Sequence, residues 1–448
     1  MNTPTTFSSK LTTVLVAAGC SVGLGNIWRF PYVAGEGGGG AFLMIYLACV
    51  VLIGLPIMLS EFVLGRATNK SAVGAFKQLT GHKWSWIGYN GVLAVMLIMG
   101  FYYVVAGWTA EYFVFSVTGE LAKHTTPEAY TSLFNSFATN PWKPILITWV
   151  FILANHIIVD KGVTKGLERV AKYLMPLLFL ILIVLCINSL MMPGSMAGVE
   201  FFLKPDFSKV TGTVILQAVG QAFFSLSIGL GALIAYGSYV PRDANLRSTV
   251  FQVSLLDTLV ALLAGLIIFP AAFSSGINPG AGPALVFETL PAIFNTLPMS
   301  MLWASIFFIL LMIAALTTTM SFHEVVTMYF VEEWGFTRRM GVFSASGIAV
   351  VLSVIASLSL GIWSDYTIFG KTIFDVMDYV TSNFMMPLGG MFTCICISWY
   401  LDKGVLSNQV TNFGKLKCGY LPVIFFLLRY LCPIAIFFIF LNGIGVIK

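Results

Sequence analysis

Charge is the scarcest ingredient of this 448-residue chain: Asp, Glu, Lys and Arg make up 10% of it, against about 25% in soluble domains. Apolar residues reach 58% and the mean hydropathy is +0.90, which excludes a water-soluble globular fold. Histidine is rarer still. His82 and His124 fall in connections, His156 lies near a helix end, and His323 opens HEVVT, which lacks the second histidine of a zinc-binding HExxH. No nucleophile stands beside a visible base, so enzyme chemistry is not expected. Paired cysteines are also missing. Cys20, Cys49, Cys186, Cys394, Cys396 and Cys432 sit in apolar runs as packed thiols, and the longest outer connection, 119–143, contains none to bridge.

What is abundant is long apolar sequence. Stretches near the 20 or so residues that cross a bilayer run at approximately 10–33, 40–65, 86–118, 144–159, 170–192, 211–240, 248–274, 300–331, 341–360, 373–401 and 420–445. They predict an all-α polytopic membrane protein of about 11 transmembrane helices. Sixteen lysines and arginines, Lys10 through Lys417, fall on one side of that threading and six, Lys123 through Lys448, on the other. Positive charge stays inside, so the amino terminus is expected in the cytoplasm of a multi-pass protein of the cell membrane. The net charge of +5 is thereby a matter of topology, and no nucleic-acid partner is expected. No cleavable signal peptide is expected either, because the first apolar run is glycine-interrupted and passes into Arg29.

Gly19 to Pro31, GCSVGLGNIWRFP, lies inside the first span and should break it in mid-membrane. Freed backbone groups are tolerated there only when buried in protein or bound to something polar. A second interruption follows Gln221, where AFFSLSIGLGALIAYGSY places Ser225, Ser227, Gly229 and Gly231 at membrane depth in the sixth span. Glycines can also serve close helix packing. Two breaks at corresponding positions of two halves point instead to an inverted-repeat transporter with its site near the midplane. The expected division is 10–192 for the first five-helix repeat, 211–401 for the second and 420–445 for an additional helix.

GLGNIWRFPY at 23–32, GGGGAF at 37–42, Tyr102 and Tyr103, GVTKGLERVAKYLMP at 162–176, the 221–239 segment, GPALVFETLP at 282–291, ALTTTMSF at 315–322 and LRYLCP at 428–433 appear in one order. With that ordered set the chain resembles the neurotransmitter:sodium symporter family over nearly its whole length. The resemblance implies a sodium-coupled carrier of an amino acid that works by alternating access. Its substrate carboxylate would meet amides near Leu24 and Gly25 and the Tyr103 hydroxyl, and its ammonium the carbonyls near Phe224 and Ser227. Ends of half-helices carry about half an elementary charge, which suits both groups. Gly23 stands where amine-carrying relatives have aspartate, so the negative charge is expected to arrive with the substrate. A glycine needed only for the backbone turn also fits.

The resemblance also implies two sodium ions. Like calcium and magnesium, sodium should take oxygen ligands. One would lie among the Ser21 carbonyl, Asn26, Ser225, Asp257 and the substrate carboxylate. The other would lie among the carbonyls of Gly19, Val22 and Ala314 and the hydroxyls of Thr317 and Thr318, although buried threonines commonly bond back into their own helix. Asp257 in FQVSLLDTLVALLAG is costly in a membrane. Animal relatives recruit chloride with residues matching Tyr46, Gln221 and Ser225, and with a serine where this chain has Ala261. No chloride is expected here, because Asp257 would supply both the sodium ligand and the fixed negative charge. Emptied of its cation, that buried carboxylate favours a proton, which makes proton counter-transport an expectation.

The family pattern further pairs Arg29 with Asp378 as an outer gate above Tyr103 and Phe224, with 282–291 as a cap. It assigns Ser238, Tyr239 and Glu332 to an inner gate. The family's amino-terminal arginine and tryptophan are replaced by Pro4 and Phe7, which leaves Lys10 as a substitute. Gly166 and Pro176 frame a fifth span whose end can unwind. Met99, Ala106, Phe224, Ser227, Leu230, Thr318 and Phe322 should line a largely apolar pocket, with Cys20 in an unusual position, sized for a hydrophobic or aromatic L-amino acid. An amino-acid receptor without flux would use the same site, and only accumulation separates the two. Lipid is the remaining partner; the oligomeric state is left open.

Overall fold

Residues 6–124, 126–276 and 286–447 are described by a computed structural model. Pro4 and residues 282–285 of the expected outer cap lie outside them. Among the described residues nine continuous helices are long and apolar enough to cross a membrane: Gly40–Thr68, Ser85–Val117, Lys143–Asp160, Val163–Leu190, Leu246–Ser274, Ser300–Glu333, Arg338–Leu358, Ile373–Tyr400 and Leu421–Gly443. They supply spans two to five and seven to eleven. The first span is Lys10–Ser21 followed by Gly25–Glu36 at a bend of 56°, and the sixth is Gly212–Ser225 followed by Ala232–Ser238. Among the described residues no strand forms beyond isolated bridges.

Burial separates the centre of the bundle from its lipid-facing rim. The most apolar stretch of the third span is 83% buried and that of the eleventh only 28%. The third span is therefore the central post, packed chiefly on the eighth and ninth, while the outer helices present apolar side chains to lipid. The first helix starts on a capping box, in which the Ser9 hydroxyl accepts the Thr12 amide and the Thr12 hydroxyl accepts the Ser9 amide. It stops where Val22 turns extended, at φ −67 and ψ 104.

The sixth span unwinds because Ser227, Gly229 and Gly231 all take positive φ, at 54°, 84° and 71°. At Gly229 glycine is obligatory. A Cβ there would stand 2.2 Å from the Met386 carbonyl oxygen of the tenth span.

Candidate functional site

The two breaks are tied to each other. The Ser227 hydroxyl donates to the Cys20 carbonyl at 3.1 Å and the Ser21 hydroxyl to the Leu226 carbonyl at 3.5 Å. Cys20 thus offers its carbonyl, while its thiol is buried and free. Glu61 of the second span braces the break from behind, accepting the Gly229 amide at 2.7 Å.

Asn26, Ser225 and Asp257 form one buried polar knot between these segments. The Asn26 amide donates to the Ser225 hydroxyl at 2.8 Å and to the Asp257 carboxylate and carbonyl at 2.8 and 3.0 Å. Ser225 donates to the other Asp257 oxygen at 2.6 Å, and the Tyr46 hydroxyl donates to Ser225 at 3.3 Å. Gln221 completes the surroundings by donating to the Gly25 carbonyl at 3.0 Å. Among the described residues no cluster of three or more His, Cys, Asp or Glu exists. What gathers here is carboxylate, hydroxyl, amide and carbonyl oxygen, a donor set that suits a hard cation and not a transition metal.

A second group of oxygens lies where the first span meets the eighth. The Thr318 hydroxyl reaches the Val22 carbonyl at 3.2 Å and the Ala314 carbonyl at 3.1 Å. Thr317 turns to Ile313 and Ala314 in its own helix, at 3.1 and 3.0 Å. A Cβ on Gly19 would come within 3.4 Å of Thr317, so the first helix approaches closely enough for its carbonyls to join.

Seven expected residues, Ser21, Gly25, Phe224, Ser227, Leu230, Thr318 and Phe322, enclose a small space at the breaks, with Leu24 lining the cavity above it. The third span differs from expectation. Ile98 and Tyr102 face the enclosed space and Val105 the cavity above, in place of Met99, Tyr103 and Ala106. The i, i+4, i+7 spacing holds, but one residue of slip turns a helix by about 100°. Tyr102 accepts the Leu24 amide at 3.0 Å, whereas Tyr103 points away to His323 Nδ1 at 3.1 Å. Met99 and Ala106 are buried against other helices. Gly23 is sterically pinned as well: a Cβ would meet the Thr318 hydroxyl at 2.5 Å and the Tyr102 hydroxyl at 2.8 Å.

Above the site, Arg29, Phe224 and Asp378 line a cavity of about 220 Å³. Arg29 and Asp378 share this cavity but form no hydrogen bond or ion pair across it. The guanidinium lies 4.4 Å over the Phe224 ring, and Asp378 accepts the Ser382 hydroxyl at 3.0 Å. From the described part of the cap, Phe287 packs edge-on against Trp28 and Trp108 at 6.2 and 5.8 Å.

Below the site the expected inner gate is redrawn. Tyr239 donates to Glu324 at 2.7 Å, and Arg338 of the ninth span grips the same carboxylate. Glu332 instead accepts the Ser71 amide at 2.8 Å, and Ser238 bonds within its own helix to Ala235 at 2.6 Å. Lys10 is exposed and joins no ion pair among the described residues. Phe7 stacks edge-on to Tyr239 at 5.6 Å, and Ser8 gives both its amide and its hydroxyl to Glu168, each at 2.6 Å. The signal overlooked in the sequence was an ionisable residue within an apolar span, at Glu61 and again at Glu324.

The model of the sodium:neurotransmitter symporter family matches residues 4–138 and 139–448. An uncharacterized sodium-dependent transporter of Bacillus subtilis, YhdH, is 38% identical over 447 residues, 99% of each chain. The sodium- and chloride-dependent taurine transporter of the dog is 28% identical over 93% of this chain and 74% of its own. The crystal structure of MhsT in complex with L-phenylalanine is similar at a TM-score of 0.89 and 41% identity, covering 98% of this chain and 99% of that one.

Proposed function

Because the chain belongs to the sodium:neurotransmitter symporter family, we propose that it imports a hydrophobic or aromatic L-amino acid on a two-sodium gradient by alternating access. It is a multi-pass membrane transporter and not an enzyme. The observation that carries the proposal is the meeting of Asn26, Ser225 and Asp257 at 2.6–2.8 Å between two broken helices. A cation seated there completes its shell with the substrate carboxylate, so each makes the other's site. Such reciprocal coupling typically amounts to about 1 to 3 kcal/mol.

The pocket walls Ile98, Phe224, Leu230, Phe322 and Met386 favour a large apolar side chain, and the MhsT ligand is of that chemistry. Asp257 is hydrogen-bonded beside Tyr46 and Gln221, so transport proceeds without chloride, and the carboxylate takes up a proton when the site empties. In this reading the chain sits in the cell membrane with its amino terminus facing the cytoplasm, as the excess of Lys and Arg on that side supports. The two five-helix repeats are 10–192 and 211–401, with 420–445 added.

Purified protein in proteoliposomes, challenged with each of the 20 amino acids against sodium-driven uptake, tests this reading. Accumulation that needs sodium and is competed by apolar or aromatic amino acids is the expected result. Amino-acid binding equally tight in potassium-only buffer overturns it.

A further inference from the structure

A buried polar chain runs away from the transport site through four helices that hold it. The Tyr103 hydroxyl meets His323 Nδ1 at 3.1 Å, His323 Nε2 meets the Val342 carbonyl at 3.3 Å and the Ser346 hydroxyl at 3.2 Å, and Ser346 meets His156 Nδ1 at 2.7 Å. Tyr103 and His323 are fully buried, and His156 is half-buried. His156 lies four residues before Asp160, the end of the fourth span, or about 6 Å along the axis.

We propose that His156, Ser346, His323 and Tyr103 form a proton-sensing relay from the cytoplasmic side to the helix that lines the substrate site. The inference rests on the orientation proposed above, which puts Asp160 at the cytoplasm. A carbonyl can only accept, so His323 carries its proton on Nε2 and accepts from Tyr103 on Nδ1. Ser346 then receives from His323 and donates to His156. Every bond points the same way.

Histidine is the side chain that ordinarily charges between about pH 5 and 8. Protonated at Nδ1, His156 faces Ser346 as a donor, and the serine must turn its hydrogen toward His323. His323 then shifts its proton to Nδ1 and donates to Tyr103, which strips the Val342 carbonyl of its donor and the Tyr103 hydroxyl of its acceptor. The balance is one proton gained at His156 and a tautomer exchanged at His323. The bond between the third and eighth spans is thereby reversed, and the Tyr103 hydrogen, on the helix that carries Ile98 and Tyr102 into the site, must turn to another acceptor.

The charged and titratable groups on the helices packed around this end are few. Arg338 on the ninth span is neutralised by Glu324 on the eighth and also donates to the Val159 carbonyl at 2.8 Å. Glu168 at the start of the fifth is taken by Ser8, Tyr239 donates to Glu324, Tyr329, Glu332 and Glu333 close the eighth span, and Arg339, Lys165, Lys161 and Asp160 lie at this end of the ninth, fifth and fourth.

The chain has only four histidines, so ¹⁵N-histidine spectra of the full protein in nanodiscs read the relay directly. On acidification His323 should change from the Nε2–H to the Nδ1–H tautomer, and Ser346→Ala should abolish the change. In proteoliposomes with the same pH on both faces, so that no proton gradient drives exchange, acidification should slow sodium-driven uptake about threefold or more, and His156→Gln and Ser346→Ala should flatten that profile. One His323 tautomer throughout, or an unaltered profile in both variants, overturns the relay. Failure of uptake at every pH counts against the transport reading, and the tautomer then decides the relay by itself.

Discussion

Arg338 holds Glu324 with two parallel contacts, Nη1 to Oε1 at 3.1 Å and Nη2 to Oε2 at 2.6 Å. The same Oε1 accepts the Tyr239 hydroxyl at 2.7 Å, so the ninth, eighth and sixth spans are locked at one carboxylate that is 1% exposed. A planar fork on a carboxylate is the strong form of such a pair.

Removing one member of a buried pair costs about 3–5 kcal/mol because the other charge is left bare. Arg338→Ala should therefore release this end of the bundle, which the proposed orientation puts at the cytoplasm. A cysteine placed at Ser238 should label faster from within, above the background of Cys418, the one natural thiol that is not fully buried. Arg338→Lys, with a point charge in place of a fork, should restore the lock only in part. Unchanged labelling in Arg338→Ala would falsify the lock.

The two adjacent tyrosines should separate cleanly. Tyr102→Phe removes the group that accepts the Leu24 amide and should weaken substrate affinity about tenfold, or about 1.4 kcal/mol. Tyr103→Phe should leave affinity within about twofold of wild type, because its hydroxyl serves His323. Equilibrium binding in sodium checks both, and the reverse ranking would return the site to the other face of the helix.

Gly23→Asp should abolish uptake without conferring monoamine transport, and Gly23→Ala should lower uptake about tenfold or more, since a Cβ at 2.5 Å from the Thr318 hydroxyl must push the first and eighth spans apart. Retained uptake in Gly23→Ala would show that the neighbours yield.

Replacing chloride with gluconate should leave wild-type uptake undiminished. Asp257→Asn should lose uptake in gluconate and recover part of it in chloride, as a mobile anion takes over the missing charge. Equal loss in both salts would assign Asp257 to the sodium shell alone.

Most spans are legible to within a few residues because lipid demands length and apolarity and little else; the fifth, expected to start at 170, starts at Val163. The apolar pattern predicts 86–118 for the third span, which is Ser85–Val117, and 144–159 for the fourth, which is Lys143–Asp160. Both breaks were legible through their glycines. Rotation about an axis was not. Ile98 and Met99, or Tyr102 and Tyr103, are chemically near-equal neighbours, and in a helix apolar all round no stripe says which one faces inward. The inner lock was hidden for another reason. Glu324 and Arg338 are 14 residues apart across a turn between spans, and only the packing of the eighth span on the ninth reveals them as a pair.

The bend after Ser21 leaves the Leu24 amide donating to a side chain on another helix. That donor is part of the polymer itself. Point substitutions at positions 24 or 25 can reshape the walls, yet none but proline deletes the N–H. Natural drift is free to change which side chains line the chamber, while the contact between the first and third spans is inherited with the path of the backbone.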